Sequence, residues 1–459
     1  MASGKKAEKA LTPEEKLAQA LVPAEEQPYP VPENWCWCKL AELYQVNPKN
    51  VAPDDIDAAF IPMEKIAAGM VSEFSFEVQQ WKAAKKGHTQ FANGDVAFAK
   101  ISPCFENRKS MVLDGLPNGI GGGTTELIVL RQPYVLPRYT FWLVSDENFI
   151  QGGKRTYSGT VGQQRISMDY VKNYPVPLPP IPEQQRIVDR IENLFAKLDE
   201  AKEKAQAVVD SFETRKAAIL HRAFTGELTA NWRKKHSVEL RSWSKKSLQE
   251  VCSMKITDGT HKTPTYCDAE NGVPFLSAKD VTSGEICWDN IKYIVPELHE
   301  ELYARLAPQL DDILLAKNGT TGVGAIVDTE AVFDLYVTLA VLRPNTGIIL
   351  PRYLLRIVNS PLCKNQFDEH LTGIGVPNLH LRDIKNVQIT VPSIEEQAEI
   401  VRILDSLLDK EQQAKETAEA VIGRIDTMKK AILARAFRGE LGTNDPAEES
   451  AVKLVKSIL

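Results

Sequence analysis

Residues Glu183 to Leu228 can be laid without a gap on Glu396 to Leu441 at one constant offset, with about half of the paired positions identical. A repeat on this scale constrains the chain more than any other feature, because the fold must be assembled from copies of one unit. The match is strongest at the end of each copy. There Lys216, Ala218-Ile219-Leu220, Arg222-Ala223-Phe224 and Gly226-Glu227-Leu228 recur as Lys429, Ala431-Ile432-Leu433, Arg435-Ala436-Phe437 and Gly439-Glu440-Leu441.

Within the first copy, apolar or small residues fall at Ile187, Ile191, Leu194, Leu198, Ala201, Ala205, Val208, Phe212 and Ile219, mostly in steps of four and three. The second copy places Ile400, Leu404, Leu407, Ala414, Ala418, Val421, Ile425, Met428 and Ile432 on the same register, with Glu411 where the first has Leu198. A period of 3.5 residues predicts a left-handed coiled coil rather than a helix lying on a sheet. Pro180 and Pro392 precede the periodic stretches, and Gly226 and Gly439 follow Phe224 and Phe437 as C-terminal caps. Each helix is expected to run roughly 40 residues, about 60 Å, and to bury its stripe against the other.

The flanking segments repeat more weakly but in the same order. Trp35 with Lys39 to Leu43 parallels Trp243 with Ser247 to Val251, and Phe60-Ile61 with Glu64 to Ile66 parallels Phe275-Leu276 with Lys279 to Val281. Asp95 to Lys100 parallels Asp312 to Lys317, and Leu136-Pro137-Arg138-Tyr139 recurs as Leu350-Pro351-Arg352-Tyr353. Glu126 to Leu130 and Val337 to Leu342 read as strands, while Tyr139 to Val144 and Tyr353 to Val358 read as short helices. Each segment is therefore expected to be a mixed α/β domain of about 150 residues. The expected boundaries are an N-terminal helical extension and linker at 1–30, globular domains at 31–180 and 243–391, helices at 181–228 and 392–441, a linker at 229–242 and a tail at 442–459. In the extension, Thr12-Pro13-Glu14-Glu15 has the pattern of a capping box with proline at the first helical position.

At 43 % hydrophobic the chain can form ordinary cores. No run approaches the roughly 20 apolar residues of a membrane span, and the opening Met-Ala-Ser-Gly-Lys-Lys lacks the apolar stretch of a signal peptide. The seven cysteines fit free thiols in a reducing cytoplasm. Cys36 and Cys38 are too close for the usual zinc spacing. The net charge of −6 leaves no basic footprint of the kind nucleic-acid binders carry. The local groups Lys82, Lys85, Lys86, His88 and Arg233, Lys234, Lys235, His236 read first as solvated surface.

No catalytic or metal-binding constellation emerges. A phosphate-binding loop and a dinucleotide fingerprint are both missing, and Gly121-Gly122-Gly123 reads as a turn. No Asn-Pro-Pro-Tyr-like element of an amino-methyltransferase occurs. Asp199, Glu200 and Lys202 could suggest a nuclease, but the repeat replaces them with Gln412, Gln413 and Lys415 on a helix without a cleft. Asp258-Gly259-Thr260-His261-Lys262-Thr263-Pro264 resembles a catalytic group more closely, yet a glycine turn rich in hydrogen-bonding side chains serves recognition equally well.

Pro180 with Glu183-Gln184 and Pro392 with Glu396-Gln397 each open a long helix that closes on Ala-Phe-x-Gly-Glu-Leu. With Pro32-Glu33-Asn34-Trp35, and Pro274-Phe275-Leu276 leading into Lys279-Asp280-Val281, this pattern from Pro32 to Leu441 resembles the specificity (S) subunits of type I restriction-modification systems. The resemblance implies an α/β chain of two mixed α/β target-recognition domains, separated by two long helices pairing as an antiparallel coiled coil, an internal duplication with pseudo-two-fold symmetry. Each domain would read one half of a split site in double-stranded DNA. The helices would act as spacer and as docking surface for two methyltransferase (M) subunits, joined by restriction/translocase (R) subunits. It implies a non-catalytic, cytoplasmic chain without a membrane association or a cofactor of its own, with S-adenosylmethionine, ATP and Mg belonging to the partners. The N-terminal extension departs from the simplest pattern and is assigned to partner contact.

Antiparallel helices would set half-site centres about one DNA turn apart, and near-neutral charge would leave much of the phosphate neutralisation to partners. Arg and Lys suit guanine, and Asn and Gln suit adenine, in the major groove. The turn Gly162-Gln163-Gln164-Arg165 matches Gly375-Val376-Pro377-Asn378, which precedes His380, and Lys100 matches Lys317, which adjoins Asn318. Gln163, Gln164, Arg165, Asn378, His380, Lys100, Lys317 and Asn318 are thus the expected DNA contacts, together with Arg108, Lys109, Thr257, His261, Lys262 and Lys279. Two other readings stay open: a coiled-coil adaptor whose variable domains bind proteins, and a nuclease or helicase subunit.

Overall fold

The strands Val96–Ala99 and Ile313–Ala316 are apolar at every position and buried throughout, the pattern of a strand covered on both faces. Alternation of side chains sends Val96 and Phe98 into one core and Ala97 into another. In the same way, Ile313 and Leu315 enter one core and Leu314 and Ala316 a second. The computed structural model describes residues 12–371 and 377–458. It divides into two compact units, one formed by Met1–Lys204 with Val421–Leu459, the other by Ala205–Ala420.

In the first unit, Val96–Ala99 lies between Leu127–Arg131 and Ser110–Val112, with Gln45–Val46 at the far edge, all antiparallel. A second sheet runs Glu77–Gln80, Asp57–Ile61, Ile120–Gly123, Thr89–Ala92, with one parallel pairing, between Asp57–Ile61 and Ile120–Gly123. Gly121-Gly122-Gly123 is therefore strand interior, not the expected turn. A Cβ at Gly122 would stand 2.0 Å from the Ala84 carbonyl oxygen, so glycine is what lets the helix Trp81–Lys85 press on the sheet. The ends of the globular part meet where Cys36–Lys39 pairs antiparallel with Pro175–Leu178. The helix Pro13–Ala20 begins at the expected capping box, with the Glu15 N–H donating to Thr12 Oγ1 at 3.2 Å and the Thr12 N–H donating to Glu15 Oε2 at 2.7 Å. It packs against Ala451–Ile458. Residues 1–11 of the expected extension lie outside the described residues.

The second unit repeats this plan. Ile313–Ala316 lies between Leu339–Leu342 and Gly324–Ile326, with Thr257–Asp258 at the edge. The companion sheet runs Tyr266–Cys267, Lys292–Ile294, Val273–Leu276, Asp334–Leu335, and keeps the parallel pairing between the last two. The first unit's sheet continues past the matching strand into Thr89–Ala92. Here the helix Pro296–Arg305 packs on Asp334–Leu335 instead. Ser244–Ser247 pairs with Gln388–Val391 to close the globular part.

The second long helix runs unbroken as Ile394–Ala436, whereas the first is Ile181–Asp210 followed by Phe212–Phe224. The break falls at Ser211, whose hydroxyl donates back to the Ala207 carbonyl while Arg215 reaches the Val208 carbonyl at 3.1 Å. Such back-bonding competes with the helical ladder and bends it. In the first unit, Lys429 pairs with Asp199 at 2.5 Å and lies over the Phe195 ring. In the second, Arg215 meets Glu411 at 2.7 Å and Lys415 covers Phe212. Residue numbers rise on one helix as they fall on the other, so the pairing within each unit is antiparallel. Glu411, which interrupts the apolar register, is thereby answered by Arg215.

The seam departs from the expected register toward the end of the second helix. Val421 and Met428 are exposed, while Leu433, Ala436 and Phe437 join Ile187, Ile191 and Phe195 in the first unit's core. The helix ends serve the globular core there, not only a two-helix seam.

Candidate nucleic-acid interface

The Glu-Gln pair that opens each long helix is wholly buried and ties the helix to its unit. Gln184 Oε1 accepts the Leu136 N–H at 2.9 Å while its amide donates to the Pro179 carbonyl at 3.1 Å. Gln397 does the same with the Leu350 N–H at 2.8 Å and the Pro392 carbonyl at 3.0 Å. Leu136 and Leu350 cap the Pro-Arg-Tyr helices, so each glutamine satisfies an orphan N–H at a helix start. The Trp35 indole N–H donates to Glu183 at 2.7 Å, and that of Trp243 to Glu396 at 2.9 Å. From the other end, the Phe437 ring meets Tyr139 edge-on and the Phe224 ring meets Tyr353, both at 5.4 Å. The most strongly repeated residues are therefore scaffold.

On this frame the loops after the two central strands fold alike. The Ile166 N–H donates to the Lys100 carbonyl at 3.0 Å and Ile101 bridges to Arg165. Correspondingly, the Leu379 N–H donates to the Lys317 carbonyl at 2.8 Å and Asn318 bridges to Asn378. Each unit thus brings a lysine-bearing strand end against a turn some 60 residues later in the chain.

In the first unit this places Lys100, Gln163, Gln164 and Arg165 together. Arg165 grips Glu126 with two bonds of 2.7 and 2.9 Å, and this, with the nearby Lys100 charge, holds the Glu126 carboxyl below the usual carboxylate range. The Gln164 carbonyl accepts the Ser102 N–H at 2.8 Å, and Gln163 is exposed. Arg108 and Lys109 are engaged within the fold. Arg108 pairs with Glu147 and donates to the Ser145 carbonyl at 3.0 Å, and Lys109 donates to the Met63 carbonyl at 2.8 Å.

In the second unit, Thr257 lies on the edge strand opposite Val341, and the turn that follows carries His261 and Lys262. Lys317 is buried and its ammonium is bonded to the Asp258 carboxylate, which also meets His261 Nε2 at 3.2 Å. Asn378 is half-buried, and His380 is exposed at the start of the helix Leu381–Asn386. Lys279 is exposed beside Asp280 at 3.0 Å. Gly375 and Val376 of the expected turn lie outside the described residues. Glu126 and Arg305, whose guanidinium donates to the Asp258 carbonyl at 3.0 Å, were invisible to sequence reasoning because their partners lie 39 and 47 residues away.

Among the described residues, no helix is long and apolar enough to cross a membrane and no group of metal-ligating side chains is assembled. Asp199 and Glu200 are taken up in ion pairs with Lys429 and Lys204, each at 2.5 Å.

Residues 129–209 and 241–421 match the family model described as the type I restriction modification DNA specificity domain. The type I restriction enzyme EcoAI specificity subunit of Escherichia coli is 37 % identical over 215 residues, which are 45 % of this chain and 36 % of that protein. The EcoKI specificity subunit of Escherichia coli strain K12 is 28 % identical over 284 residues, 60 % of this chain and 59 % of that one. The match thus spans little more than a third of the former relative and about three fifths of the latter. In fold, the chain is similar to the HsdS subunit from Thermoanaerobacter tengcongensis, with a TM-score of 0.68, 20 % identity, and coverage of 90 % of this chain and 99 % of that one. The family model covers more than half of the whole sequence and reaches into both copies of the repeat, and the chain belongs to the type I restriction-modification DNA specificity family.

Proposed function

We propose that this chain is the DNA-reading subunit of a type I restriction-modification complex, recognising an asymmetric bipartite site and docking methyltransferase and restriction/translocase subunits. The observation that carries the reading is the repeated loop geometry with unlike side chains. The bridge between Ile101 and Arg165 recurs as that between Asn318 and Asn378, but the surrounding groups differ. One scaffold used twice with different hydrogen-bonding groups suits two different half-sites. The reading domains are 31–180 and 243–391, and the helices at 181–228 and 392–441 are the spacer. Lys100, Gln163, Gln164 and Arg165 face the first half-site, and His261, Lys262, Asn318, Asn378 and His380 the second. Catalysis, with S-adenosylmethionine, ATP and Mg, resides in the partners.

The test is modification-sensitive sequencing of DNA from cells carrying this gene and its neighbours, against cells lacking only this gene. Loss of N6-methyladenine at one bipartite motif is the expected result. An unchanged pattern with the methyltransferase expressed refutes the reading and favours a protein-binding adaptor.

A further inference from the structure

In the second unit, the segment Asp258-Gly259-Thr260 is strapped down along its length. The Gly259 N–H donates to the Leu339 carbonyl at 3.3 Å, the Thr260 N–H to the Leu335 carbonyl at 2.9 Å, and the Val337 N–H to the Thr260 carbonyl at 3.0 Å. A Cβ at position 259 would stand 2.0 Å from the Leu335 carbonyl oxygen, so only glycine allows the two backbones to lie this close. The buried Lys317 ammonium holds the Asp258 carboxylate from below, and the Arg305 guanidinium holds its carbonyl from the side. Asp258 and Lys317 are 3 % and 6 % exposed.

Immediately beyond the strap the chain turns outward. The Lys262 N–H donates to Thr260 Oγ1 at 3.2 Å, and the next two side chains project with 71 % of His261 and 83 % of Lys262 exposed. His261 is aimed by its contact with Asp258. A rigid base carrying two solvent-facing donors is what directional reading of a base edge requires, since a mobile donor would lose its discrimination to entropy. The Lys262 ammonium stands 3.8 Å from the Glu301 carboxylate, and because both groups are exposed the pair is screened and leaves that tip available.

Building on the proposed DNA-reading role, we infer that Asp258 to Lys262 is a preorganised reading turn. His261 and Lys262 contact acceptor-bearing purine edges of one half-site, and Asp258, Lys317 and Arg305 are positioning residues that never touch DNA. The matching strand end in the first unit lacks this device. Lys100 there adjoins the Glu126–Arg165 pair, and Asn47 at the edge strand instead bonds the Val129 backbone at 2.8 and 3.0 Å. The inference therefore assigns the device to one half-site only.

The experiment is methylome sequencing with the complete complex carrying His261→Ala, Lys262→Ala, Lys317→Met or Lys317→Arg. The two exposed substitutions leave folding intact and are expected to relax base preference by roughly tenfold or more at positions of one half-site, with the other half-site unchanged. Lys317→Met is expected to relax the same positions although the residue is buried, and Lys317→Arg to restore part of the preference. An unchanged consensus in the His261 and Lys262 variants overturns the inference, as does a uniform loss of methylation that leaves both half-sites as strict as before. If the unsubstituted complex shows no bipartite motif, it is the DNA-reading role itself that fails.

Discussion

At the start of the long helix the two units solve one geometric problem with different charge compensation. At the helix start of the first, the buried Glu183 side chain accepts its hydrogen bonds from neutral groups, Trp35 at 2.7 Å, Asn444 at 2.9 Å and Thr443 at 3.4 Å, with the Arg186 charge close by but bonded elsewhere. At the same place in the second, Glu396 receives Trp243, Thr229 and the buried guanidinium of Arg233, the last at 2.7 Å. The loops differ as well, with a half-buried Arg165–Glu126 pair in the first unit and a buried Lys317–Asp258 pair in the second. The repeat preserves acceptor positions, backbone paths and one buried pair, Asp95–Arg131 and Asp312–Arg343, but at these two places it does not preserve the way charge is compensated. A buried ion pair adds little net stability over an apolar isostere, yet removing one partner strands the other. At the helix start and the loop, the second unit should accordingly be brittle to single charge deletions, of Arg233 or Lys317, that have no counterpart at those places in the first.

The largest effect expected from this contrast is at Arg233. Arg233→Met leaves Glu396 buried without its cation and should destabilise the second unit by about 3–5 kcal/mol. Adding Glu396→Leu should recover much of that loss. Glu183→Gln in the first unit keeps an acceptor for the surrounding donors and should cost about 1 kcal/mol. Urea denaturation with hydrogen exchange resolved by unit measures all three. A loss below about 1 kcal/mol in Arg233→Met would break the comparison.

Next in size are the glutamines, where the units agree. Gln184→Ala and Gln397→Ala each orphan the N–H of a leucine at a helix start, Leu136 and Leu350. Each should lose about 1–3 kcal/mol, and by similar amounts. A large difference between them in the same denaturation series would show that the shared geometry is not energetically shared.

What could be read from the chain follows this same division. The long helices, their proline starts and glycine ends, and the Pro-Arg-Tyr helices were legible because they rest on local periodicity and capping. Even Glu411 was visible as a defect in the apolar register, though not its answer in Arg215. Gly121-Gly122-Gly123 misled because what confines those glycines lies far off in sequence: the Ala59 backbone and Phe91 ring at Gly121, the Ala84 backbone at Gly122 and the Ile61 backbone at Gly123. The candidate interface was half legible. Matching Lys100 with Lys317 correctly located equivalent strand ends, but burial separates their roles, and Lys317 finds its carboxylate only through the pairing of the Thr257–Asp258 edge strand. Arg108 was an expected DNA contact, and its engagement depends on Glu147, which lies 39 residues away.

The smallest effect concerns acid and sharpens the loop side of the contrast. The Arg165 hydrogen bonds lower the Glu126 pKa in the folded state, whereas the second unit carries Asn378 at the bridge position of Arg165. A depressed folded pKa contributes stability that is fully present above the unfolded carboxylate value of about 4.3 and is lost as pH falls through the folded value. Hydrogen-exchange protection of Ser158 and Arg165, whose N–H groups bond each other's carbonyls, should therefore drop on acidification below that range. Arg165→Asn, which gives the first unit the second's residue, should abolish the acid step and lower stability at neutral pH by the same amount, which is small because the pair is only half-buried and partly screened. An acid step that survives Arg165→Asn would mean that another carboxyl group controls the loop, and that the difference in charge between the two turns has no energetic consequence there.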